Sequence, residues 1–258
     1  MPSDRDQPPI PRAVREVAGH GVATLVWRNE AGGLTYRVDR PGVAVYVKWA
    51  PVRSGIDLSG EAARLRWAAP FARVPEVLSL DSDGDGMWLM TQGLPGSSAV
   101  APAWIREPRR ATRAIAEGLR ALHDTLPVDG CPFSWSVADR IGRAGGPPAP
   151  SQWHAEHRGL SVAEARRLLD EPPPHDRLVV CHGDPCAPNT LMDDKGRWCG
   201  HVDFDQMGVA DRWADLAVAT WSLAWNYGDG FDAEFFAAYG ISRDPERVRY
   251  YRLLWDFA

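Results

Sequence analysis

His182-Gly183-Asp184-Pro185-Cys186-Ala187-Pro188-Asn189, followed a short way on by Val202-Asp203-Phe204, decides how this chain is read. Between the two pieces, Thr190-Leu191-Met192 and Trp198-Cys199-Gly200-His201-Val202 have the composition of short strands, and Asp193-Asp194-Lys195-Gly196 that of a tight turn. The spacing predicts an antiparallel hairpin. Asn189 and Asp203 lie seven residues either side of Gly196, which makes them approximate cross-strand neighbours at its open end. An amide oxygen and a carboxylate facing one point form a half-shell for Mg²⁺, which takes one or two carboxylates and completes its octahedron with phosphate oxygens and water. Upstream, apolar Leu178-Val179-Val180-Cys181 reads as a buried strand that delivers Asp184 onto a loop beside the hairpin.

Those three side chains are the parts that phosphoryl transfer needs: one carboxylate to accept a hydroxyl proton, an amide and a second carboxylate to hold metal on the phosphates. Protein kinases keep the same three roles in the same order. Taken singly, each residue reads as an ordinary turn residue. Their shared spacing around one hairpin carries the assignment. His182 has no HxxxH partner or Cys/His cluster beside it, so it reads as a hydrogen-bonding brace for the loop rather than a metal ligand.

A nucleotide lobe can be read in the first third. Leu34 to Val38, the turn Asp39-Arg40-Pro41-Gly42, and Val43 to Lys48 predict strand, turn, strand. In the second strand the period of two places Val43, Val45 and Val47 on one face and Ala44, Tyr46 and Lys48 on the other. Lys48 can hold phosphate oxygens while the Tyr46 ring lies against a base. The helical run Asp57 to Ala68 follows, and Glu61 in its early turns can pair with Lys48 and orient it.

At this point the chain resembles the aminoglycoside phosphotransferase family, and within it the 3′-phosphotransferases of neomycin and kanamycin. The resemblance extends from about Val26 to Ala258 and rests on VYVKWAP around Lys48, DLSGEAARLRWA around Glu61, WLMTQGLPG from Trp88 and GLRALHDTLP from Gly118. CHGDPCAPNTLMDD, VDFDQMGVADRWADLAVAT and the closing YYRLLWDFA complete the series. It implies an α+β, protein-kinase-like bilobal fold with a small β-rich N-lobe (1–90), a hinge (91–96) and a mainly helical C-lobe (97–258) carrying the catalytic hairpin, with ATP bound between the lobes. Asp184 would be the catalytic base, Asn189 and Asp203 the Mg²⁺ ligands, and Lys48 with Glu61 the phosphate-orienting pair. Tyr46 would stack on the nucleotide base, ATP or GTP, while Thr91 and Gly93 meet its edge. The Asp256 side chain and the carboxylate of Ala258 would line the acceptor pocket.

The chain also departs from the family pattern. Ala31 stands where the nucleotide loop commonly has Ser, and Asp205 and Gln206 replace the Gly and Arg usual after the metal-binding Asp. Trp225 and Trp255 occupy acidic positions of the pocket, and Ser151 and His154 flank Trp153 at two more. Trp153, Asp205, Gln206, Trp225, Trp255, Asp256 and Ala258 form the expected acceptor set. Loss of carboxylates keeps a second acceptor reading open, streptomycin at its 3″-hydroxyl or another amino sugar or amino alcohol. A third reading, a nucleotide-binding pseudokinase, rests on Ala31 alone and is opposed by retention of Lys48, Asp184, Asn189 and Asp203.

The remaining sequence fits a cytoplasmic small-molecule kinase acting as a monomer or weak homodimer. At 258 residues, 45% hydrophobic and 24% charged, it can bury the core of one bilobal unit. The balance of 34 acidic against 29 basic residues favours cationic partners over nucleic acid, and no run reads as a signal peptide or membrane span. Cys131, Cys181, Cys186 and Cys199 lack CxxC spacing, which predicts neutral thiols without disulfides or zinc. Most of the 12 Trp residues are expected in packing. Further expectations are a loose arm from Met1 to Arg12, a core helix from Pro108, and a loop from Gly142 to Pro150 gating the cleft. A Ser161-Glu164 capping box ahead of a helix and two closing helices, Asp211 to Ala224 and Asp244 to Asp256, complete the reading.

Overall fold

Buried residues alternating with more exposed ones, clearest over 34–38 and 45–47, build the first sheet of the computed structural model, which describes residues 8–40, 42–143 and 145–258. The chain divides into two compact units. One extends to Ala69 and resumes from Pro75 to Leu94, and the other comprises Pro70–Val74 and Pro95–Ala258. In the first unit, helix α1 (Arg12–Ala18) precedes strands β1 (Ala23–Arg28), β2 (Leu34–Val38) and β3 (Val45–Pro51), helix α2 (Ser59–Ala68), and strands β4 (Val77–Ser82) and β5 (Gly86–Gln92). All pairings are antiparallel, in the order β1-β2-β3-β5-β4. Leu34, Tyr36 and Val38 of β2 pack with Val45 and Val47 of β3 against Val14 of α1.

One expectation shifts here because of the length of the partner strand. Val43 lies outside β3 and is 44% exposed, because β2 ends at Val38, whose partner is Val45. Thr91 stays within β5 opposite Tyr46, and the Gly93 N–H donates to the Ala44 carbonyl at 2.8 Å, so residues 91–93 continue the sheet. The turn residue Pro41, residues 1–7 of the expected arm and Ala144 of the expected gating loop lie outside the described residues.

The second unit is α-rich: α3 (Pro102–Ile105), α4 (Pro108–Thr125), α5 (Val137–Arg143), α6 (Val162–Leu169), α7 (Trp213–Tyr227), α8 (Asp232–Tyr239) and α9 (Pro245–Phe257). Proline in its first turn starts α4, whose Ala111, Ile115, Leu119 and Leu122 are buried at helical spacing. Ser161 and Glu164 exchange the two hydrogen bonds of a capping box at α6, and Asp244 accepts from Glu246 and Arg247 N–H to start α9. Every residue of α7 from Trp213 to Leu223 is buried, so this helix is the axis of the unit. Two small sheets pack beside α4: β7 (Leu178–Cys181) with β10 (Gly208–Asp211), and β6 (Ser97–Ser98) with the hairpin β8 (Thr190–Met192) and β9 (Trp198–His201). No disulfide joins the four cysteines, of which Cys181 and Cys199 are buried. Among the described residues no helix is long and apolar enough to cross a membrane.

Candidate active site

β7 ends on buried Cys181 and the chain turns at His182-Gly183 to present Asp184. The turn needs glycine: Gly183 has φ +89°, and a Cβ there would run into the backbone of Gln206. The turn is held from below by Asp215, a fully buried carboxylate on α7. Its oxygens accept the His182 N–H at 2.6 Å, the Gly183 N–H at 3.0 Å and the His123 Nε2–H at 2.9 Å, while His123 Nδ1 meets the Tyr239 hydroxyl at 2.8 Å. Burial alone would push the Asp215 carboxyl up; the hydrogen bonds and charge from His123, with His182 and the Gly183 N–H, hold it below the usual carboxylate range.

Asp184 is half-buried, and its position is fixed by Asn189, whose Nδ2 donates to the Asp184 carbonyl at 3.0 Å and to Oδ2 at 3.1 Å. With its N–H groups so committed, Asn189 has its carbonyl oxygen as the end of the amide open to a cation. His182 braces the loop as its sequence context suggests: Nδ1 accepts the Asp184 N–H at 3.3 Å, Nε2–H donates to the Val202 carbonyl at 3.0 Å, and the ring lies 4.6 Å from that of Phe204.

The hairpin forms, with one change of register. Thr190 pairs with His201 and Leu191 with Gly200, but Met192 pairs with Trp198, so an extra residue is taken up in β9. Asn189 therefore faces Val202, whose N–H donates to its carbonyl at 3.0 Å, and Asp203 falls one residue past the expected position. The backbone compensates. Asp203 is the sole non-glycine with positive φ, 69°, among the described residues. An L-residue is strained in that region, Asp less than most, and such strain is characteristic of functional sites. The donor set is hard oxygen, an amide carbonyl and a carboxylate, which fits Mg²⁺. Nearby Cys186 offers no competing thiolate, since burial and the charge of Asp184 push its thiol far up.

In the first unit, Lys48 Nζ donates to both oxygens of buried Glu61 at 2.7 and 2.8 Å. Tyr46 shares its face of β3, and the edge of the Tyr46 ring closes over Gly93. Asn29 closes the loop ahead of β2, its Oδ1 accepting the Gly33 N–H at 2.6 Å, with Ala31 at the tip. The sequence profile of the phosphotransferase enzyme family matches residues 13–251. This chain belongs to that family.

The phosphotransferase is 36% identical over 250 residues to an aminoglycoside 3′-phosphotransferase of Streptomyces fradiae, covering 89% of this chain and 92% of the relative. Its fold superposes on that of an aminoglycoside-3′-phosphotransferase of type VIII with a TM-score of 0.77 at 31% identity, covering 95% and 96% of the two chains. It also superposes on the aminoglycoside phosphotransferase APH(3″)-Id of Streptomyces rimosus in complex with ADP and streptomycin, with a TM-score of 0.72 at 28% identity over 94% and 95%. The kinase-like fold follows from these relationships.

The acceptor residues expected from sequence divide sharply in this phosphotransferase. Trp153 is 1% exposed and packs on Phe257, so it is a core residue and leaves the acceptor set. Asp256 is 7% exposed and accepts from His154 and His157, so its carboxylate is engaged from within the protein; burial opposes its charge, but these imidazole hydrogen bonds hold the carboxyl below the usual range. The main-chain oxygen of Ala258 accepts from Arg140 at 3.2 Å, and Trp255 is partly exposed with that guanidinium 6.0 Å from its ring centroid. Burial lowers the Arg140 guanidinium to about 10. Asp205 is exposed, Gln206 is half-buried with its backbone against Gly183, and Trp225 is 47% exposed.

Reasoning from sequence missed the supports beneath the phosphotransferase loop: Asp215, His123 and His201. A signal was present in Asp215, the one charged residue in the run Trp213 to Leu223. His201 has a consequence for stability. Burial and the neighbouring His182 push its imidazole from 6.5 down to about 3. Between those values the unfolded chain binds a proton that the folded chain refuses, so stability is full above the upper value and falls as acid is added. We predict a loss of about 2 kcal/mol between pH 7 and pH 5 from this group. Urea unfolding of His201→Gln at the two pH values should show a shallower decline than the parent protein; parallel declines would remove His201 as the cause.

Proposed function

We propose that this phosphotransferase transfers the γ-phosphoryl group of ATP, with Mg²⁺, to a hydroxyl of an aminoglycoside, first of all the 3′-hydroxyl of a kanamycin- or neomycin-type acceptor, and so confers resistance from the cytoplasm. The observation that carries the reading is the Asp184 carboxylate, fixed by Asn189 Nδ2 beside two oxygen donors suited to Mg²⁺. Asp184 orients the acceptor hydroxyl and takes its proton as the oxygen attacks phosphorus. Mg²⁺, held by Asn189 Oδ1 and Asp203, would neutralise charge on the phosphate oxygens. Lys48, kept extended by Glu61, holds phosphate oxygens, and Tyr46 supports the base. No covalent enzyme intermediate is required. The identity to a 3′-phosphotransferase over nine-tenths of its length supports the regiochemistry.

The second reading, streptomycin at its 3″-hydroxyl or a simpler amino sugar, is supported by the internal engagement of Asp256, which leaves fewer carboxylates for a polycation. An ADP-release assay over kanamycin, neomycin, streptomycin and glucosamine, with ATP and GTP as donors, separates the readings. We expect release with kanamycin and neomycin and none from Asp184→Ala, with product NMR placing phosphate on the 3′-oxygen. Release with streptomycin or glucosamine alone would transfer the assignment to the second reading. Nucleotide binding without release for any acceptor would reject catalysis.

A further inference from the structure

The far end of α7 carries a wall that the phosphoryl chemistry does not require. Ser222 Oγ accepts the Ala187 N–H at 2.8 Å, which ties this helix to the loop three residues beyond Asp184. Trp225 follows Ser222 by three residues on the same side of the helix, about 4.5 Å along its axis. It is 47% exposed, although the helix is otherwise buried up to Leu223. Only one other of the 12 tryptophans, Trp27 of the first unit, is exposed. A large ring left in solvent beside the catalytic loop has a surface to offer.

The ring is also held flat. His154 stacks on it with centroids 5.0 Å apart and planes 9° apart, and the His154 ring in turn lies 4.2 Å from Trp221. His154 is anchored to Asp256 twice, by its backbone N–H to Oδ2 at 3.0 Å and by Nδ1 to Oδ1 at 2.5 Å. His157 Nδ1 meets the same Oδ2 at 2.6 Å. Glu156, the other carboxylate on this wall, has His157 Nε2 at 3.4 Å and Arg252 Nη1 at 3.6 Å. An ammonium group arriving here meets aromatic faces and an Asp256 whose two oxygens are taken by imidazole, while exposed Glu156 keeps only longer ion-pair contacts.

We propose that Trp225 and His154 form the shelf on which the acceptor lays the flat face of a sugar ring, and that His154, by occupying Asp256, sets specificity toward acceptors with fewer amino groups. This inference rests on the aminoglycoside reading and names how that acceptor is selected. C–H faces of a sugar pack on indole and imidazole, and the shelf's orientation is fixed before binding because His154 cannot turn without releasing Asp256.

Steady-state kinetics of the full chain with neomycin, kanamycin and glucosamine test it. In Trp225→Ala, acceptor KM should rise about tenfold while kcat and nucleotide KM change far less, and Trp225→Phe should recover most of the loss. In His154→Ala, Asp256 loses one imidazole partner, and the KM ratio of neomycin to glucosamine should fall about tenfold, since a charge-assisted bond to the freed carboxylate rewards the more cationic acceptor. His154→Asn keeps a donor to Asp256 and should leave that ratio near the parent value, which guards against a folding defect in the alanine variant. Acceptor KM within twofold of the parent in Trp225→Ala, or an unchanged ratio in His154→Ala, would overturn the shelf while the enzyme remains a kinase. A parent protein inactive on every acceptor would overturn both this inference and the reading beneath it.

Discussion

Asp184→Asn lowers kcat by about 10²–10⁴-fold, the range that a positioned general base contributes, and leaves nucleotide affinity nearly unchanged. The substitution keeps the shape of the side chain, and the backbone contacts that place the loop are untouched: Gly183 at positive φ, the His182 and Gly183 N–H groups on Asp215, and the Ala187 N–H on Ser222. The new amide accepts from one of the two donors that meet the carboxylate, Asn189 Nδ2 and the Cys186 N–H. What it removes is the ability to accept a proton from the acceptor hydroxyl and the negative charge that orients it. Asn189 and Asp203 retain their oxygens, and Lys48 retains Glu61. Turnover and affinity therefore separate, which a general loss of folding cannot produce. ADP release under saturating acceptor, alongside titration with a fluorescent nucleotide, measures the two. A kcat within tenfold of the parent would show that Asp184 is not the base and that the constellation does something other than activate a hydroxyl.

The same loop shows which features of the molecule can be read from sequence. The hairpin was legible because its signals are local: a turn sequence at Gly196 and short apolar runs on either side. Its register was not, since the extra residue in β9 depends on how Cys199 and Trp198 pack against neighbours distant in sequence, including Gly118 of α4, which leaves room for the Trp198 indole. Lys48 and Glu61 were legible as a strand residue and a helix residue whose pairing the structure shows at 2.7 Å. The wall that carries Trp225 was least legible. Trp153 and Trp225 look alike in sequence, yet one is buried on Phe257 and the other stands in solvent, because burial depends on where α7 and α9 lie rather than on residue type. Asp256 likewise reads as an open carboxylate in sequence, whereas in the fold two histidines from a separate segment meet it.

Asp215→Asn is the largest expected effect on stability, and its origin is hydrogen-bond direction. The carboxylate accepts from three donors, two of them backbone N–H groups of the turn that presents Asp184. An amide has one acceptor end; its NH₂ group would face a donor and leave it buried without a partner. Removing one member of a buried charged network costs about 3–5 kcal/mol, which for a unit of this size lowers Tm by roughly 6–20 °C. Acid should narrow the difference. The folded carboxyl titrates below its ordinary value, so the unfolded chain takes up the proton first as pH falls, and the stabilisation present at neutral pH drains away below about pH 4. Thermal unfolding of parent and variant at pH 7 and at pH 3.5 reads both statements. A gap under about 2 °C at pH 7 would mean that the turn is held by something other than Asp215. A gap that widens in acid would mean that the carboxyl is protonated in the folded protein, and the loop carrying Asp184 would then hang from a neutral acid.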